Sequence, residues 1–553
     1  MHLIPQTREL VDLILEHLSS RSLYRLALTC HSLEVPALDK LWYTQYSLAP
    51  LIHVMSSVAF EKTEGENPGI GTPNEGFWHD RLTKLVVEGT PTEIEKQRLK
   101  MYANRVHELV PPRQYQKSRF CRNLDDSALQ ALFNTAVFET TDGHRVHFPE
   151  IRVLEWPFTG IDGNFFHLVD HFLGMKMQKI ALRGYLQRDI NTDDTMSMLW
   201  SAIPIRCPEL IEFKMTEFSP FVPPSHDMSA WKSLKIFDCG RSYGMPIEIY
   251  AALSKLPRLH RVNFYPIQRT NILEENQSSE TLNPVVDPTF PSLHHLTLIS
   301  EEIENCIDVL QHNSYPVLAE LFIGLNFRSG PSPIHSGSFG LDLLEIIPRR
   351  VSSNLRHLLI QGYHYDPPFP NPRSHHSPQM LHIIRSMLQA FPNMEHFELQ
   401  SCQFTFDINR TFLTEIAAAW PKLKRLAFTP YYPCPFLLCL WIRVDANGSQ
   451  SIPGLNPTSE RNSSLQRLYL GESSIHSAEN VIEFLLHSFP KLQYLEAWRY
   501  STPNGAEEKR YRKQWKMVEK KRPPVLSLEI RGMCTYHWFS WILRLREILQ
   551  YAN

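Results

Sequence analysis

Short stretches of this chain alternate apolar and polar residues, and each follows the same lead, P-x-L-x-x-L-x-L. FPEIRVLEW (148–156), CPELIEFKM (207–215), LPRLHRVNF (256–264), FPSLHHLTL (290–298), YPVLAELFI (315–323), FPNMEHFEL (391–399), WPKLKRLAF (420–428) and FPKLQYLEA (489–497) carry it whole. GMKMQKIAL (174–182), WKSLKIFDC (231–239), SSNLRHLLI (352–360) and SSLQRLYL (463–470) keep the apolar positions without the proline. The first apolar positions fall at 151, 177, 210, 234, 259, 293, 318, 355, 394, 423, 465 and 492, with 24 to 42 residues between successive copies. Weaker copies begin at Leu82, Val106 and Leu526.

Residues three and five places after each marker share one face of a strand, because side chains alternate with a period of two. The proline two places before the marker has a fixed φ and no N–H, which suits the start of a strand and not its interior. Upstream lie segments with apolar residues at helical spacing, Leu381, Ile384 and Leu388 in one copy and Val481, Leu485 and Phe489 in another. The expected unit is therefore helix, proline, strand. Burying three apolar side chains per strand is worth roughly 5–9 kcal/mol gross, which a unit gains only by stacking on its neighbours. The pattern resembles the leucine-rich repeat, L-x-x-L-x-L-x-x-N/C-x-L; Asn326 and Cys402 match its N/C position, whereas Glu301, Tyr363 and Tyr431 depart from it. The resemblance is to the irregular, helix-bearing repeats. It implies an α/β fold, a curved solenoid with a parallel inner sheet.

The first 50 residues have a different rhythm. Residues 8–18 form an expected helix with Leu10, Val11, Leu13, Ile14, Leu15 and Leu18 apolar, a wider face than one small core uses. A second helix is expected over Leu23 to Cys30, and the segment PALDKLW, Pro36 to Trp42, follows it. A module of that size buries too little surface to be robust alone, so part of its face is expected to dock elsewhere. Ile4-Pro5, Glu9-Leu10, Ile14, Leu18, Leu23, Thr29-Cys30-His31 and Ala37-Leu38-Asp39-Lys40-Leu41-Trp42 together resemble an F-box. With Tyr102 to Leu109, they are similar to the large F-box family of mushroom-forming fungi. Two more residues separate Pro5 from Glu9 than in the family pattern, and Leu33 replaces its tryptophan.

That resemblance implies a substrate-recognition subunit of an SCF-type cullin-RING ubiquitin ligase. The F-box would hold a Skp-type adaptor, and through it a cullin, while the repeats hold a target protein. Pro5, Leu10, Ile14, Leu18, Leu26, Cys30, Leu41 and Trp42 are the implied adaptor-binding residues or the core directly beneath them. A module that only caps the first repeat would instead leave a protein-binding scaffold with no ligase. The expected domains are an F-box at 1–50, a flexible linker at 51–80, the solenoid at 81–532 and a C-terminal capping helix at 533–553. Within the linker, Glu64 to Gly76 is rich in Gly, Pro and acid. Thr90-Pro91-Thr92-Glu93 reads as a capping box, with Thr90 at the N-cap, before a helix from Ile94 to Ala103.

Composition narrows the partners. Lys+Arg 56 against Asp+Glu 58 gives a net charge of -2, which supplies no global field for nucleic acid. The basic run Lys509 to Arg522 is the exception, read as a charged helix face, a nuclear signal or a patch that meets phosphates. The longest apolar run, Phe436 to Ile442, is far shorter than the ~20 residues of a membrane span. Arg8, Glu9 and Asp12 interrupt what a secretory signal would need. A cytoplasmic or nuclear location is expected. The nine cysteines hold no C-x-x-C pair and read as free thiols. No metal or cofactor is expected, and the Walker A, H-E-x-x-H and G-x-S-x-G motifs of enzymes are absent.

Binding is then expected on the strand face opposite the apolar one, at residues two and four places after each marker. These include Arg261, His295, Phe322, His357, Glu398, Arg425 and Tyr469, with Tyr265 and Trp498 two places further on. Aromatic residues and arginine on a rigid face are what interface hot spots are made of.

Overall fold

The structure is a computed structural model. It describes residues 8–55, 58–62, 83–87, 89–110, 126–135, 138–139, 145–158, 163–184, 190–216, 228–239, 247–264, 289–300, 303–327, 339–364, 378–400, 410–428, 467–469, 494–496 and 527–529, with 513 and 517. The chain divides into two compact units, Met1–Tyr265 and Pro266–Asn553.

The first unit begins with α1 (Arg8–Glu16), α2 (Ser20–Thr29) and α3 (His31–Tyr43). Ser19 stops the chain before α2 and its hydroxyl accepts from the Ser22 N–H at 3.2 Å, which satisfies one orphan donor of the first turn. Val11, Leu15, Leu23, Ala27 and Ala37 make the module's own core, with Leu18, Leu26, Leu33, Leu38 and Leu41 packed around it. α3 runs without a loop into β1 (Thr44–Gln45). There follow α4 (Ala49–Ile52), β2 (Val58–Lys62), β3 (Thr83–Val87), α5 (Glu93–Ala103), β4 (Glu108–Leu109), α6 (Asp126–Thr135), β5 (Phe138–Glu139) and β6 (Arg145–Val146). The repeats proper give β7 (Val153–Phe158), a 3-10 segment Gly163–Phe172, β8 (Lys179–Gly184), α7 (Ile190–Arg206), β9 (Glu212–Thr216), β10 (Ile236–Asp238), α8 (Ile247–Ser254) and β11 (Arg261–Phe264). β1, β4, β7, β8, β9, β10 and β11 pair in that order, every pair parallel.

The second unit continues the alternation with β12 (His295–Ser300), α9 (Ile303–Gln311), β13 (Glu320–Phe327), α10 (Phe339–Arg350), β14 (His357–His364), α11 (Pro378–Ala390), β15 (His396–Gln400), α12 (Arg410–Ala419), β16 (Arg425–Phe428), β17 (Arg467–Tyr469), β18 (Tyr494–Glu496) and β19 (Ser527–Glu529). All eight strands pair in sequence order and in parallel. Residues three and five after each marker form continuous buried rows: Leu296, Leu321, Leu358, Phe397 and Leu426 in one, Leu298, Ile323, Ile360 and Leu399 in the next. Helices with buried apolar faces, such as Cys306, Val309 and Leu310 of α9, run between the strands. Both units are parallel α/β repeats. All twelve markers lead into a strand that begins two residues later, and Val106 extends the series through β4; β19 continues it too, but its pairing of Leu528 with Leu495 puts the expected start at Leu526 one residue out of phase.

Several expectations are corrected. Leu82 does not extend the parallel series: β3 pairs antiparallel with β2 in a separate two-stranded sheet. An antiparallel partner needs only a chain reversal, whereas a parallel one needs a crossover of a dozen or more residues. β1 places the first strand of the parallel sheet inside the expected F-box, and β2 lies inside the expected linker. The N-cap of α5 is Thr92, not Thr90: its hydroxyl accepts from the Glu95 N–H at 3.3 Å, and Glu95 accepts from the Thr92 N–H at 2.7 Å. Glu95 turns back because it is buried on the same face as Leu99 and Ala103, at four-residue spacing.

The prolines also act one step earlier than expected. The residue before Pro149, Pro208, Pro257, Pro392 and Pro421 accepts a backbone hydrogen bond from the marker three residues on, as in Leu423 N–H to Trp420 O at 3.1 Å. Proline is thus the second residue of a β-turn, where its fixed φ is pre-set. The residue before it is a buried core residue, Phe148, Leu256, Phe290, Tyr315, Phe391 or Trp420 in successive copies. Pro5, Glu64 to Gly76, Tyr265, the helix around Val481, Trp498 and the expected helix 533–553 lie outside the described residues, as does Lys509 to Arg522 apart from residues 513 and 517.

Candidate functional site

On the N-terminal module the apolar residues split into two sets. Val11 and Leu15, four apart, face inward, while Leu10, Leu13 and Ile14 of the same helix are 47%, 55% and 49% exposed. Tyr24 and Leu28 repeat the arrangement on α2, and Val35 is exposed on α3. Of the implied adaptor residues, Leu10 and Ile14 are therefore on the surface, and Leu18, Leu26 and Leu41 lie partly buried against the core. Cys30 is half-buried at the N-cap of α3, its Sγ 3.2 Å from Ser32 Oγ, and hydrogen bonding with Ser32 and Leu33 holds its pKa below the ordinary thiol value. Trp42 is half-buried against Tyr102, with ring centroids 4.5 Å apart. Leu13 was read as part of that over-wide apolar face but not among the implied adaptor residues, and Tyr24, Leu28 and Val35 were not singled out from sequence.

The module is fastened to the repeats that follow. Arg105 Nε pairs with Asp39 at 2.9 Å, Tyr43 stacks on His107 at 4.6 Å, and the Thr44 hydroxyl donates to Glu108 at 2.8 Å. Burial pushes the His107 pKa down, so this imidazole is neutral at pH 7. On the open face of the first unit's sheet the charges satisfy one another. Lys179 lies between Glu155 at 3.5 Å and Glu212 at 3.9 Å, and Glu212 also pairs with Lys214 at 2.5 Å. Arg261 stands half-buried at the start of β11.

The second unit's open face has a different chemistry. Its first row, in register, is His295, Glu320, His357, His396 and Arg425, followed by Arg467 in β17. His295 Nδ1 lies 2.7 Å from one oxygen of Glu320, and His357 Nδ1 lies 3.4 Å from the other. His357 stacks on His396, ring centroids 4.4 Å apart and planes 18° from parallel. The second row is Thr297, Phe322, Leu359, Glu398 and Ala427, with Arg425 reaching Glu398 at 2.8 Å. The contacts to His295 and His357 hold Glu320 well below the usual carboxylate range. Burial, then the neighbouring His357, Arg425 and Lys424, lower His396 to about 4.

Sequence position alone put His295 and Glu398 on an open surface, and the structure corrects that: both are buried. His295 is enclosed between Glu320 and Thr297, and Glu398 is covered by the Arg425 guanidinium. Phe322, His357 and Arg425 are half-buried on the face. Tyr469 is placed by register beside Ala427, and its side chain is not described. Glu320 and His396 lie two places after their markers, the same outward position that marked His295 and His357. A hollow lined by Trp200, Pro204, Ile205, Met228 and Trp231 in the first unit is apolar and brings no titratable groups together.

Among the described residues, no group of three His, Cys, Asp or Glu side chains is placed to hold a metal ion, and no helix is long and apolar enough to cross a membrane. Cys30, Cys207, Cys239 and Cys306 are free thiols, and burial pushes Cys207 and Cys306 up to about 12.

No family model matches the chain, and no curated protein does. Among solved structures, the chain is similar to the leucine-rich-repeat ectodomain of a plant membrane receptor kinase from Arabidopsis thaliana, crystallised in complex with Casparian strip integrity factor 2. The match covers 82% of this chain at 9% identity and a TM-score of 0.28, and the chain spans half the length of that ectodomain. The fold described above rests on strand register and burial, independently of that likeness.

Proposed function

We propose that this chain is a protein-binding adaptor whose repeats hold a target protein and whose N-terminal helices dock a Skp-type adaptor, making it a substrate-recognition subunit of an SCF-type ubiquitin ligase. The observation that supports the docking half is the exposure of Leu10, Leu13 and Ile14 on a helix whose other face already fills the module's core. Apolar side chains in excess of a core's needs, held at helical spacing, belong to a surface that is covered by a partner. The resemblance of Leu10, Ile14 and the Ala37 to Trp42 block to an F-box names that partner. The target half rests on the rigid, regularly spaced rows of polar and aromatic side chains on the open strand faces. Pairs such as Arg105 with Asp39 fasten the module to the repeats of the first unit, so an adaptor held at one would be held in fixed relation to that unit's sheet.

Affinity capture with mass spectrometry, comparing the full chain with a Leu10→Asp/Ile14→Asp variant, tests both halves. The expected result is adaptor and cullin recovered with the wild type only, and the same targets recovered with both. Neither form recovering adaptor would overturn the ligase reading and leave a protein-binding scaffold. Targets that change with the variant would overturn the division of labour.

A further inference from the structure

Two features of the first unit adjoin at the end of its sheet where the strands begin. One is the hollow between the last turns of α7 and the 3-10 turn Met228–Ala230, about 240 Å³ in volume. Trp200, Met228 and Trp231, 2%, 2% and 4% exposed, form its buried wall with the two indoles 5.4 Å apart, and Ile205 stands at its rim, 70% exposed. An apolar cavity of about 150 Å³ takes a benzene ring, whereas clefts that enclose small molecules run to roughly 300–1,000 Å³. The hollow therefore has the size of a pocket for one aromatic or aliphatic side chain.

The other is a run of cations that starts where the hollow ends. Trp231 of its wall is followed by Lys232 and Lys235, and the next copy supplies Lys255 and Arg258, all four exposed. The Lys235 carbonyl accepts from both the His260 and Arg261 N–H groups, at 2.8 and 3.0 Å. Matching turns precede the two strands, closed by Leu234 N–H to Trp231 O and by Leu259 N–H to Leu256 O. The β10–β11 register, carried back through these turns, aligns Lys255 with Ala230 of the hollow and Arg258 with Ser233. At such positions in other copies a neighbour answers the cation: Glu150 takes Lys176 at 2.6 Å, Asn393 takes Lys422 at 2.8 Å, and Glu395 takes Lys424. Here Trp231 to Ile236 and Lys255 to Arg261 contain no carboxylate. Among the described residues, the side chains of Lys232, Lys235, Lys255 and Arg258 engage no partner. Arg261, half-buried, is a fifth cation. Glu212 on the copy before is already shared by Lys179 and Lys214, and Glu248 lies at the other end of α8. Set against the five, Glu209 of the copy before and Asp238 of β10 still leave an excess of three positive charges.

We propose that this corner of the first unit docks an acidic segment of a target protein, with one apolar side chain of that segment in the hollow and the carboxylates beside it on Lys232, Lys235, Lys255 and Arg258. Charge complementarity selects the carboxylates, and a recessed apolar pocket selects the anchor between them. A nucleic acid fits less well. Two copies about 5 Å apart make a spot and not a track of phosphate contacts, and the rings of Trp231, Phe237, Tyr250 and Phe264 are buried, with no face open to a base. The recess likewise suits an inserted side chain and not the surface of a bilayer, which takes up a protruding apolar face. The proposal rests on the reading that the repeats hold a target protein, and gives that reading a place and a chemistry.

The test is selection of 12-residue peptides from a phage-displayed random library on the full chain at pH 7.5. One selected synthetic peptide is then titrated into the wild type, Lys235→Glu/Arg258→Glu and Ile205→Asn, variants whose positions are all exposed. The expected outcome is enrichment of Asp and Glu around a Phe, Trp, Leu or Ile. Binding should weaken at least about tenfold in the charge-reversed variant and about threefold or more in Ile205→Asn, and the wild type should lose about tenfold between roughly 0.1 M and 0.5 M salt. Enrichment lacking acidic residues, or a peptide that binds either variant as tightly as the wild type, would overturn this docking site and leave target binding elsewhere on the repeats standing. No enriched peptide would overturn the target reading as well. Single-stranded RNA or phosphatidylserine vesicles that bind the wild type and not Lys235→Glu/Arg258→Glu would overturn the choice of partner.

Discussion

Leu10 and Leu15 lie on one nine-residue helix, the first 47% exposed and the second 2% exposed. The helical spacing of apolar residues is plain in the sequence, and so is the excess width of the face. Which leucines turn inward is not, because that depends on where α2 and α3 lie. Urea unfolding should separate them: Leu15→Ala should cost the module about 2–5 kcal/mol, and Leu10→Ala less than about 0.5 kcal/mol. His396 makes a second prediction at this scale. Its pKa of about 4 lies below the 6.5 of an unfolded histidine, so the unfolded chain binds more protons between those values and folding loses stability as pH falls through them. Glu320 adds to the loss further down, since its folded pKa is also depressed and its contribution disappears below the ordinary carboxylate pKa of 4.5. Unfolding measured at pH 7.5 and pH 5 should show a loss from His396 on the order of 1 kcal/mol, reduced in His396→Asn. An unchanged drop in that variant would place the proton uptake elsewhere.

The strands were legible because a period of two survives in the copies, and the marker places the start of the strand to the residue in all twelve clear copies, while the weaker copy at Leu526 is one residue out. The turn ahead of it was read one step late. Proline draws the eye, yet the residue before it carries the packing: Trp420 is fully buried against Phe397, with ring centroids 5.0 Å apart, while Pro421 is exposed. Trp420→Ala is therefore expected to cost about 3–5 kcal/mol and Pro421→Ala less than about 1 kcal/mol, compared by urea denaturation of the full chain. The aromatic or apolar residue before proline recurs in the sequence, in FP, LP, YP and WP, so the signal was present. At α5 the same kind of shift arose because two overlapping T-x-x-E matches compete, and only burial of Glu95 decides between them. Thr92→Ala should destabilise that helix by about 1 kcal/mol, read as faster amide exchange in its first turn.

For the molecule as a whole, repeat architecture was readable and its partition was not. The repeats look continuous in sequence from 151 onward, but compactness divides the chain at Tyr265, and the first unit takes in both the helical module and its early strands. The split depends on contacts among distant segments, which no local pattern encodes. The candidate surfaces show the same limit: register grouped His295, His357 and Arg425 correctly, whereas the pairings through Glu320 and Glu398 appear only when neighbouring strands are laid side by side. The proposed adaptor docking depends on the exposed face of α1. Calorimetric titration of a purified Skp-type adaptor into the full chain measures it directly. The wild type should form a one-to-one complex with micromolar or tighter affinity, and Leu10→Asp/Ile14→Asp should weaken it at least about a hundredfold with an unchanged far-ultraviolet spectrum. A wild type that takes up no adaptor, or a folded variant that binds as tightly as the wild type, would contradict it.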